Sequence, residues 1–106
     1  MTVEVIFTKE AESIFQKIKI TNPTLLKSIN QKIEILKQKP HFGQPIAKRK
    51  IPKEYLTKYS AKNIFRIELS GYWRLLYTIT NEELLIIALV LDILDHKEYN
   101  KTFGYK

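Results

Sequence analysis

Positive charge is concentrated in one quarter of this chain. Residues 37–62 hold eight basic side chains and one acidic side chain, whereas the rest of the chain has ten of each sign, so the net charge of +7 belongs to this segment. Clustered lysines and arginines on a small domain attract polyanions, of which the phosphate backbone of RNA or DNA is the commonest. At the centre of the segment is a group that we call the basic cluster: Lys48, Arg49, Lys50 and Lys53.

Two further arginines, Arg66 and Arg74, lie in a predicted β-hairpin directly after this segment. Apolar and polar residues alternate in both arms, and a three-residue loop with Gly71 at positive φ would place both apolar sets on one face of the sheet. In that register Arg74 lies opposite Glu68, and both arginines face away from the helices. A simple cross-strand ion pair between Glu68 and Arg74, worth at most about 1 kcal/mol, is the purely structural alternative.

The first third of the chain predicts a strand followed by two helices. Residues 2–7 alternate with a period of two, which is typical of a strand. Thr8 is a predicted N-cap for the first helix. Asn22 and Pro23 end that helix and begin a second, with Asn22 as the cap and Pro23 in the first turn. Pro40 lies just beyond the second helix, so the pair forms a helical hairpin.

The remainder predicts a loop and then three strands. We expect a loop over residues 39–51, a short helical turn that starts at Pro52, and then the hairpin. A turn at residues 81–83 leads into the run 84–94, which is apolar on both faces, as a covered central strand would be. The tail, residues 95–106, is predicted to be a short helix or coil ending near Gly104.

This β-α-α-loop-β-β-β order predicts an α+β fold in a single domain spanning residues 1–106. The N-terminal strand and helical hairpin precede three antiparallel strands, and the helices pack on one face of a small, largely antiparallel sheet. Only loops and the tail remain to cover the other face.

Composition argues against several classes of protein. The chain has no cysteine and only two histidines, His41 and His96, so neither disulfides nor a thiolate metal site is expected. The N-terminus lacks the pattern of a secretory signal, and the longest apolar run, residues 84–91, is too short to span a membrane. We therefore expect a cytoplasmic, metal-independent protein that is not associated with membranes.

Residues 64–105 resemble the RelE/ParE superfamily of type II toxin–antitoxin toxins, and look like its archaeal RelE-like branch. Residues 73–77, Trp-Arg-Leu-Leu-Tyr, are similar to the third strand of that family, which carries an arginine, a leucine, an apolar residue and a tyrosine. The apolar run 84–94 continues into a basic residue and a tyrosine, as the last strand of the family does. The element order extends the resemblance over most of the chain and implies a RelE-like fold.

The resemblance also implies roles for individual residues. Arg74 matches the third-strand arginine that contacts the scissile phosphate, and Arg66 on the same face would assist it. His96 lies where the family has its candidate general acid, and Tyr99 matches a tyrosine that stacks on or orients the RNA. The basic cluster occupies the region where RelE-like members place lysines that bind phosphate or act as bases. The predicted catalytic set is therefore Arg66, Arg74, His96 and Tyr99, and the basic cluster is the predicted RNA-binding set.

This set matches the chemistry of RNA cleavage by 2′-hydroxyl attack. That reaction requires a base, positive charge on the pentavalent phosphate and an acid for the leaving 5′-oxygen. Arg74 suits the charge because a guanidinium is bidentate and always cationic, and His96 titrates near neutrality. A surface histidine and a tyrosine packed in the core are the equally weighted structural interpretations of His96 and Tyr99.

Three functions remain open at the level of sequence. The first is a ribosome-dependent mRNA endonuclease (mRNA interferase), which the family implies needs neither metal nor nucleotide cofactor. The second is a ParE-like toxin that inhibits DNA gyrase. The third is a catalytically inactive module that binds RNA or an antitoxin. The partners implied are an acidic antitoxin, the ribosome and mRNA, and no small-molecule ligand is expected.

Overall fold

The structure, a computed structural model, describes residues 2–104. The last two residues of the predicted tail, Tyr105 and Lys106, lie outside the described residues. The strands are β1 (Thr2–Phe7), β2 (Gln44–Pro45), β3 (Phe65–Glu68), β4 (Arg74–Glu82) and β5 (Leu85–Leu94). The α-helices are α1 (Lys9–Thr21), α2 (Pro23–Gln38), α3 (Lys53–Tyr59) and α4 (His96–Phe103), and 3₁₀ turns occupy Lys48–Lys50 and Ser70–Tyr72.

The strands form one sheet in the order β1-β5-β4-β3-β2. β1 pairs in parallel with β5, and the other neighbours are antiparallel. The α+β arrangement predicted from the sequence is therefore confirmed, and β5 is an interior strand as its apolar run predicts. The sequence predicted a loop where β2 lies. A strand of two residues, one of them proline, is too short to show an alternating pattern. The turn before β5 is at residues 83–84 rather than 81–83.

Helices α1 and α2 cover one face of the sheet, as predicted. Both begin at the predicted caps: Thr8 Oγ1 accepts a hydrogen bond from the Ala11 amide, and Asn22 Oδ1 accepts one from the Leu25 amide, each 3.1 Å long. The core on this side is continuous across both helices and the three long strands, and apolar burial of this kind supplies most of a domain's stability. Its buried members include Ala11, Ile18, Leu25, Ile29, Leu36, Ile67, Leu75, Tyr77, Val90 and Ile93.

The opposite face is covered by a second apolar layer that includes helices α3 and α4. The sequence assigned only loops and the tail to this side, and the structure shows that amphipathic helices in those segments cover it. This second layer consists of Ile46, Ile51, Tyr55, Ala61, Ile64, Leu76, Leu91, Tyr99 and Phe103. Within residues 2–104, no helix has both the length and the apolar character needed to cross a lipid bilayer.

A β-bulge in β5 directs two consecutive residues toward the second layer. Leu76 pairs with Asp92 while its neighbour Tyr77 pairs with Val90, so Leu91 has no partner opposite it in β4. Leu91 packs in the second layer, and Asp92 Oδ2 accepts a hydrogen bond of 2.9 Å from the hydroxyl of Tyr55 in α3.

Tyr77 ties the loop after α2 to the sheet. Its buried hydroxyl accepts a hydrogen bond of 2.9 Å from the Gly43 amide and donates one of 2.7 Å to the Pro40 carbonyl. A Cβ at position 43 would lie 2.8 Å from the Tyr77 ring and 2.9 Å from the Arg66 carbonyl oxygen, so glycine is required there for close approach. This contact fixes where the loop enters β2.

We expect Tyr77→Phe to lower the free energy of unfolding by roughly 1–3 kcal/mol, because it leaves a buried amide and a partly buried carbonyl without their partner. Urea denaturation measures the change. Tyr72→Phe is the matched control, since Tyr72 is 74% exposed and its loss of a hydroxyl should change stability little. Equal effects of the two substitutions would contradict this account of Tyr77.

The contact between Asp92 and Tyr55 predicts a pH dependence of stability. Burial raises the pKa of the Asp92 carboxyl above its ordinary value of 3.8, although the hydrogen bond from Tyr55 opposes the shift. An acid with a raised pKa in the folded state stabilises the fold fully below its unfolded pKa, and this contribution is lost as pH rises through the folded pKa. Asp92→Asn removes the ionisation and keeps a hydrogen-bonding group.

The variant Asp92→Asn should therefore gain stability relative to wild type as pH rises from about 4 to 7. For a domain of about 100 residues, each kcal/mol of this gain raises Tm by roughly 4–8 °C. Thermal melts of both proteins across this range measure it, with the low-pH pair as the internal control. A gain that is the same at every pH would show that Asp92 is not the titrating group.

Candidate functional site

The register between β3 and β4 places the two arginines as predicted. Glu68 pairs with Arg74 and Arg66 pairs with Leu76, so both arginines face the second layer, away from α1 and α2. The intervening turn has Gly71 at φ +71°, as predicted.

Arg66 makes directed contacts to two other elements. Its Nη1 donates a hydrogen bond of 3.0 Å to the Tyr99 hydroxyl in α4, and its Nη2 donates one of 2.8 Å to Gln44 Oε1 in β2. Its Nε lies 3.5 Å from Glu68 Oε1. The side chain therefore joins the edge strand, the hairpin and the C-terminal helix.

Arg74 meets the same two residues from the neighbouring strand. Its Nε is 2.7 Å from Glu68 Oε2, and its guanidinium carbon lies 5.5 Å from the centroid of the Tyr99 ring. The corresponding distance from Arg66 to that ring is 5.8 Å. One aromatic ring thus supports both guanidinium groups by cation–π attraction, and one carboxylate pairs with both.

Tyr99 lies beneath this pair of arginines. Only 2% of it is exposed, and its ring stacks on Phe103 at a centroid distance of 4.9 Å. The sequence left open whether Tyr99 stacks on RNA or packs in the core. In this conformation it packs in the core and holds the arginines, so its ring is not available to a base.

His96 lies at the same end of the sheet. It is the first residue of α4, which Asp95 caps by accepting a hydrogen bond of 2.8 Å from the Glu98 amide. The His96 side chain is exposed, and its ring contacts the ring of Tyr72 at a centroid distance of 6.1 Å. Because Arg74 pairs with Leu94, the start of α4 lies close to the start of β4. The exposed His96 side chain is therefore accessible to a ligand bound at this end of the sheet.

The basic cluster lies in the layer that covers the same face of the sheet. Lys48, Arg49 and Lys50 form a 3₁₀ turn, and Lys53 begins α3. The turn is held by the buried side chains of Ile46 and Ile51 on either side, which belong to the second layer. The fold thus presents consecutive basic residues on a short anchored turn.

Two lysines of the wider basic segment are paired with acids. Lys58 Nζ lies 2.6 Å from Glu10 Oε2, and Lys37 Nζ lies 2.7 Å from Glu34 Oε2. By contrast, Lys48 and Lys62 line an open depression of about 560 Å³ together with Leu56.

The structure thus joins Arg66, Arg74 and Tyr99 by direct contacts, places His96 at the same end of the sheet, and presents the basic cluster on the same side. Their catalytic and RNA-binding roles stay predictions. Sequence reasoning missed Gln44, because the two-residue strand that carries it gives no pattern. Among residues 2–104, no group of three His, Cys, Asp or Glu side chains could hold a metal ion.

Comparison with solved structures identifies the fold. A YoeB/ParE toxin from Agrobacterium tumefaciens superposes with a TM-score of 0.65 at 13% identity, over 88% of this chain and 98% of that toxin. A mutant of the E. coli toxin RelE in the free state gives 0.60 at 14% identity, over 99% and 94% of the two chains. An archaeal RelE–RelB complex from Pyrococcus horikoshii gives 0.50 at 15% identity, over 91% and 97%.

The chain therefore has the fold of RelE-like and ParE-like toxins, as the sequence predicted. Neither a protein-family model nor the sequence of a curated protein matches it. The likeness spans almost the whole length of each relative.

Tyr99→Phe tests the support beneath the arginines. We expect it to lower the free energy of unfolding by roughly 1–3 kcal/mol, because a hydrogen bond to a charged donor is lost in a partly buried site. Tyr59→Phe is the control, since the hydrogen bond of 3.4 Å from the Tyr59 hydroxyl to Glu10 is exposed to solvent. Urea denaturation compares the two, and the arginine Nε signals in NMR spectra should shift in Tyr99→Phe alone. Unchanged arginine signals would contradict the supporting role of Tyr99.

Proposed function

We propose that this protein is the toxin of a type II toxin–antitoxin pair and acts as an endoribonuclease that cuts mRNA in the ribosomal A site. The observation that carries the proposal is the convergence of Arg66 and Arg74, from adjacent strands, on one buried tyrosine at the end of the sheet where His96 begins α4. Two fixed guanidinium groups, at the end of the sheet that also carries an exposed imidazole, fit a phosphodiester. The toxin names of the structural relatives support this choice among the chemistries that such a site allows.

In the proposed reaction the RNA 2′-oxygen attacks the adjacent phosphorus and the bond to the 5′-oxygen breaks. Arg74, assisted by Arg66, stabilises the added negative charge on the pentavalent phosphate. His96 gives a proton to the leaving 5′-oxygen, and the lysines of the basic cluster are the candidates to accept the proton of the 2′-hydroxyl. The products are a 2′,3′-cyclic phosphate and a free 5′-hydroxyl.

Tyr99 has a positioning role in this proposal. Its hydroxyl sets the direction of the Arg66 guanidinium and its ring supports that of Arg74, so both charges are in place before the substrate arrives. Charge that is preorganised in this way stabilises a transition state without reorganisation during the reaction.

We further propose that an acidic antitoxin is a partner of this protein. A net charge of +7 favours an acidic partner, and large apolar side chains such as Leu56 and Tyr72 are exposed near the basic cluster and His96. The archaeal relative was solved as a complex of RelE with RelB, which supports a protein partner for this fold.

Primer extension on an mRNA translated in a cell-free extract tests the nuclease. Wild type should produce discrete cuts that require ribosomes. Arg74→Ala should lower cleavage roughly 100-fold or more, because it removes charge from the transition state. His96→Ala should lower it on the order of 100-fold, the scale of general acid catalysis.

Lys97→Ala is the matched control for His96, because Lys97 is its exposed neighbour in α4, and thermal melts confirm that each variant is folded. Retained cleavage by His96→Ala alone would move the acid role to another residue. Intact mRNA at saturating wild-type protein would overturn the nuclease proposal, and a gyrase supercoiling assay would then separate a ParE-like toxin from an inactive binding module.

A further inference from the structure

One carboxylate pairs with both arginines of the site. Glu68 Oε2 lies 2.7 Å from Arg74 Nε, and Glu68 Oε1 lies 3.5 Å from Arg66 Nε. The two Nε atoms are buried and meet Glu68 as ion pairs without hydrogen-bond geometry. The two oxygens of the Glu68 carboxylate thus approach different guanidinium groups. Two oxygens of a phosphate group would lie in the same way between these arginines.

Exposure places this carboxylate on the solvent side of the arginines. The side chain of Glu68 is 57% exposed, whereas those of Arg66 and Arg74 are 28% and 17% exposed. The ring of Tyr99 supports both guanidinium groups from the opposite, buried side. An anion that approaches from solvent therefore meets Glu68 before it can pair with both arginines.

We propose that Glu68 is a built-in competitor for phosphate, which occupies the site between Arg66 and Arg74 in the free protein and is displaced when RNA binds. The proposal rests on the proposed function in taking RNA as the ligand. In this role Glu68 lowers the affinity of the site for RNA.

The physical properties of the three side chains allow this displacement. An ion pair with an exposed partner is weak and is screened by salt, so a rotamer change can move the carboxylate into water. The cross-strand pairing of Glu68 with Arg74 keeps the carboxylate beside the site, so it returns when the phosphate leaves. Arg66 is held in place by its hydrogen bonds to Tyr99 and Gln44. Arg74 is held by the Tyr99 ring and by a hydrogen bond of 3.3 Å that its Nη1 donates to the Trp73 carbonyl.

This competition selects among RNA ligands. A single phosphate gains little binding free energy, because its ion pairs with the arginines replace those that Glu68 already makes. A longer strand that also contacts the basic cluster adds further ion pairs and can displace Glu68. Glu68 would therefore discriminate against isolated phosphates and short fragments.

The test compares Glu68→Gln with Glu82→Gln in binding to a single-stranded RNA made uncleavable by 2′-O-methylation. Both substitutions remove one exposed negative charge from the hairpin strands, but Glu82 lies at the far end of β4 from Arg74, roughly 25 Å away at the rise of a strand. We expect Glu68→Gln to tighten binding roughly fivefold to tenfold at low salt, since it removes a like charge a few ångströms from the phosphate. Glu82→Gln should change affinity less than about twofold because of screening.

A second measurement follows the arginine side chains themselves as phosphate binds. The chain has three arginines, Arg49, Arg66 and Arg74, so their Nε signals can be followed separately by NMR during titration with inorganic phosphate. Glu68→Gln should strengthen the phosphate response of Arg66 and Arg74 and leave that of Arg49 unchanged. The gain should disappear when Arg74→Gln is added to Glu68→Gln.

The outcomes separate this inference from the proposed function. Equal affinities of Glu68→Gln and Glu82→Gln, or weaker binding by Glu68→Gln, would overturn the competitor role even if wild type cuts mRNA. Tighter binding by Glu68→Gln in a protein that cuts no mRNA would support the competitor role and count against the nuclease.

Discussion

The pairing register of the β3–β4 hairpin is the constraint on which the rest of the structure depends. Successive side chains of a strand point to opposite faces, so a slip of one residue would bury Arg66 and Arg74 under α1 and α2 and expose their apolar neighbours. The three-residue turn around Gly71 excludes that slip, since it sets Glu68 opposite Arg74. The same pairing therefore orders the core on one face and gathers the charged side chains on the other.

Tyrosine hydroxyls connect the peripheral segments to the sheet. Tyr77 binds the loop after α2, Tyr55 joins α3 to Asp92, and Tyr99 joins α4 to Arg66. In each case the ring is buried in an apolar layer while the hydroxyl meets a polar partner that the fold must satisfy. Because a ring has few rotamers once it is packed, each contact fixes the position of a segment whose own apolar surface is small. These hydrogen bonds therefore help to set the positions of Arg66 and Tyr99 in the site.

Sequence reasoning was most successful where periodicity and turn chemistry act locally. The caps Thr8 and Asn22, the positive φ of Gly71 and the pairing of Glu68 with Arg74 all follow from patterns within a few residues. The bond between Gln44 and Arg66 and the burial of Tyr99 depend on segments that meet only in the folded chain. The two-residue β2 has no periodicity, and a tail tyrosine has the same local sequence whether it packs or binds RNA.

The pairing of β1 with β5 also sets when, during synthesis, the fold around Arg66 and Arg74 can be completed. β1 is synthesised well before β5 and can pair with it only after β5 has been made. Thr8 and Leu91, which are 83 positions apart, form a hydrogen bond across this junction. Contacts of such long range make folding slow, because a large loop must close first. Tyr99 follows later still, so a nascent chain carries both arginines without the ring that supports them. Synthesis of the chain therefore runs ahead of the completion of this group of side chains.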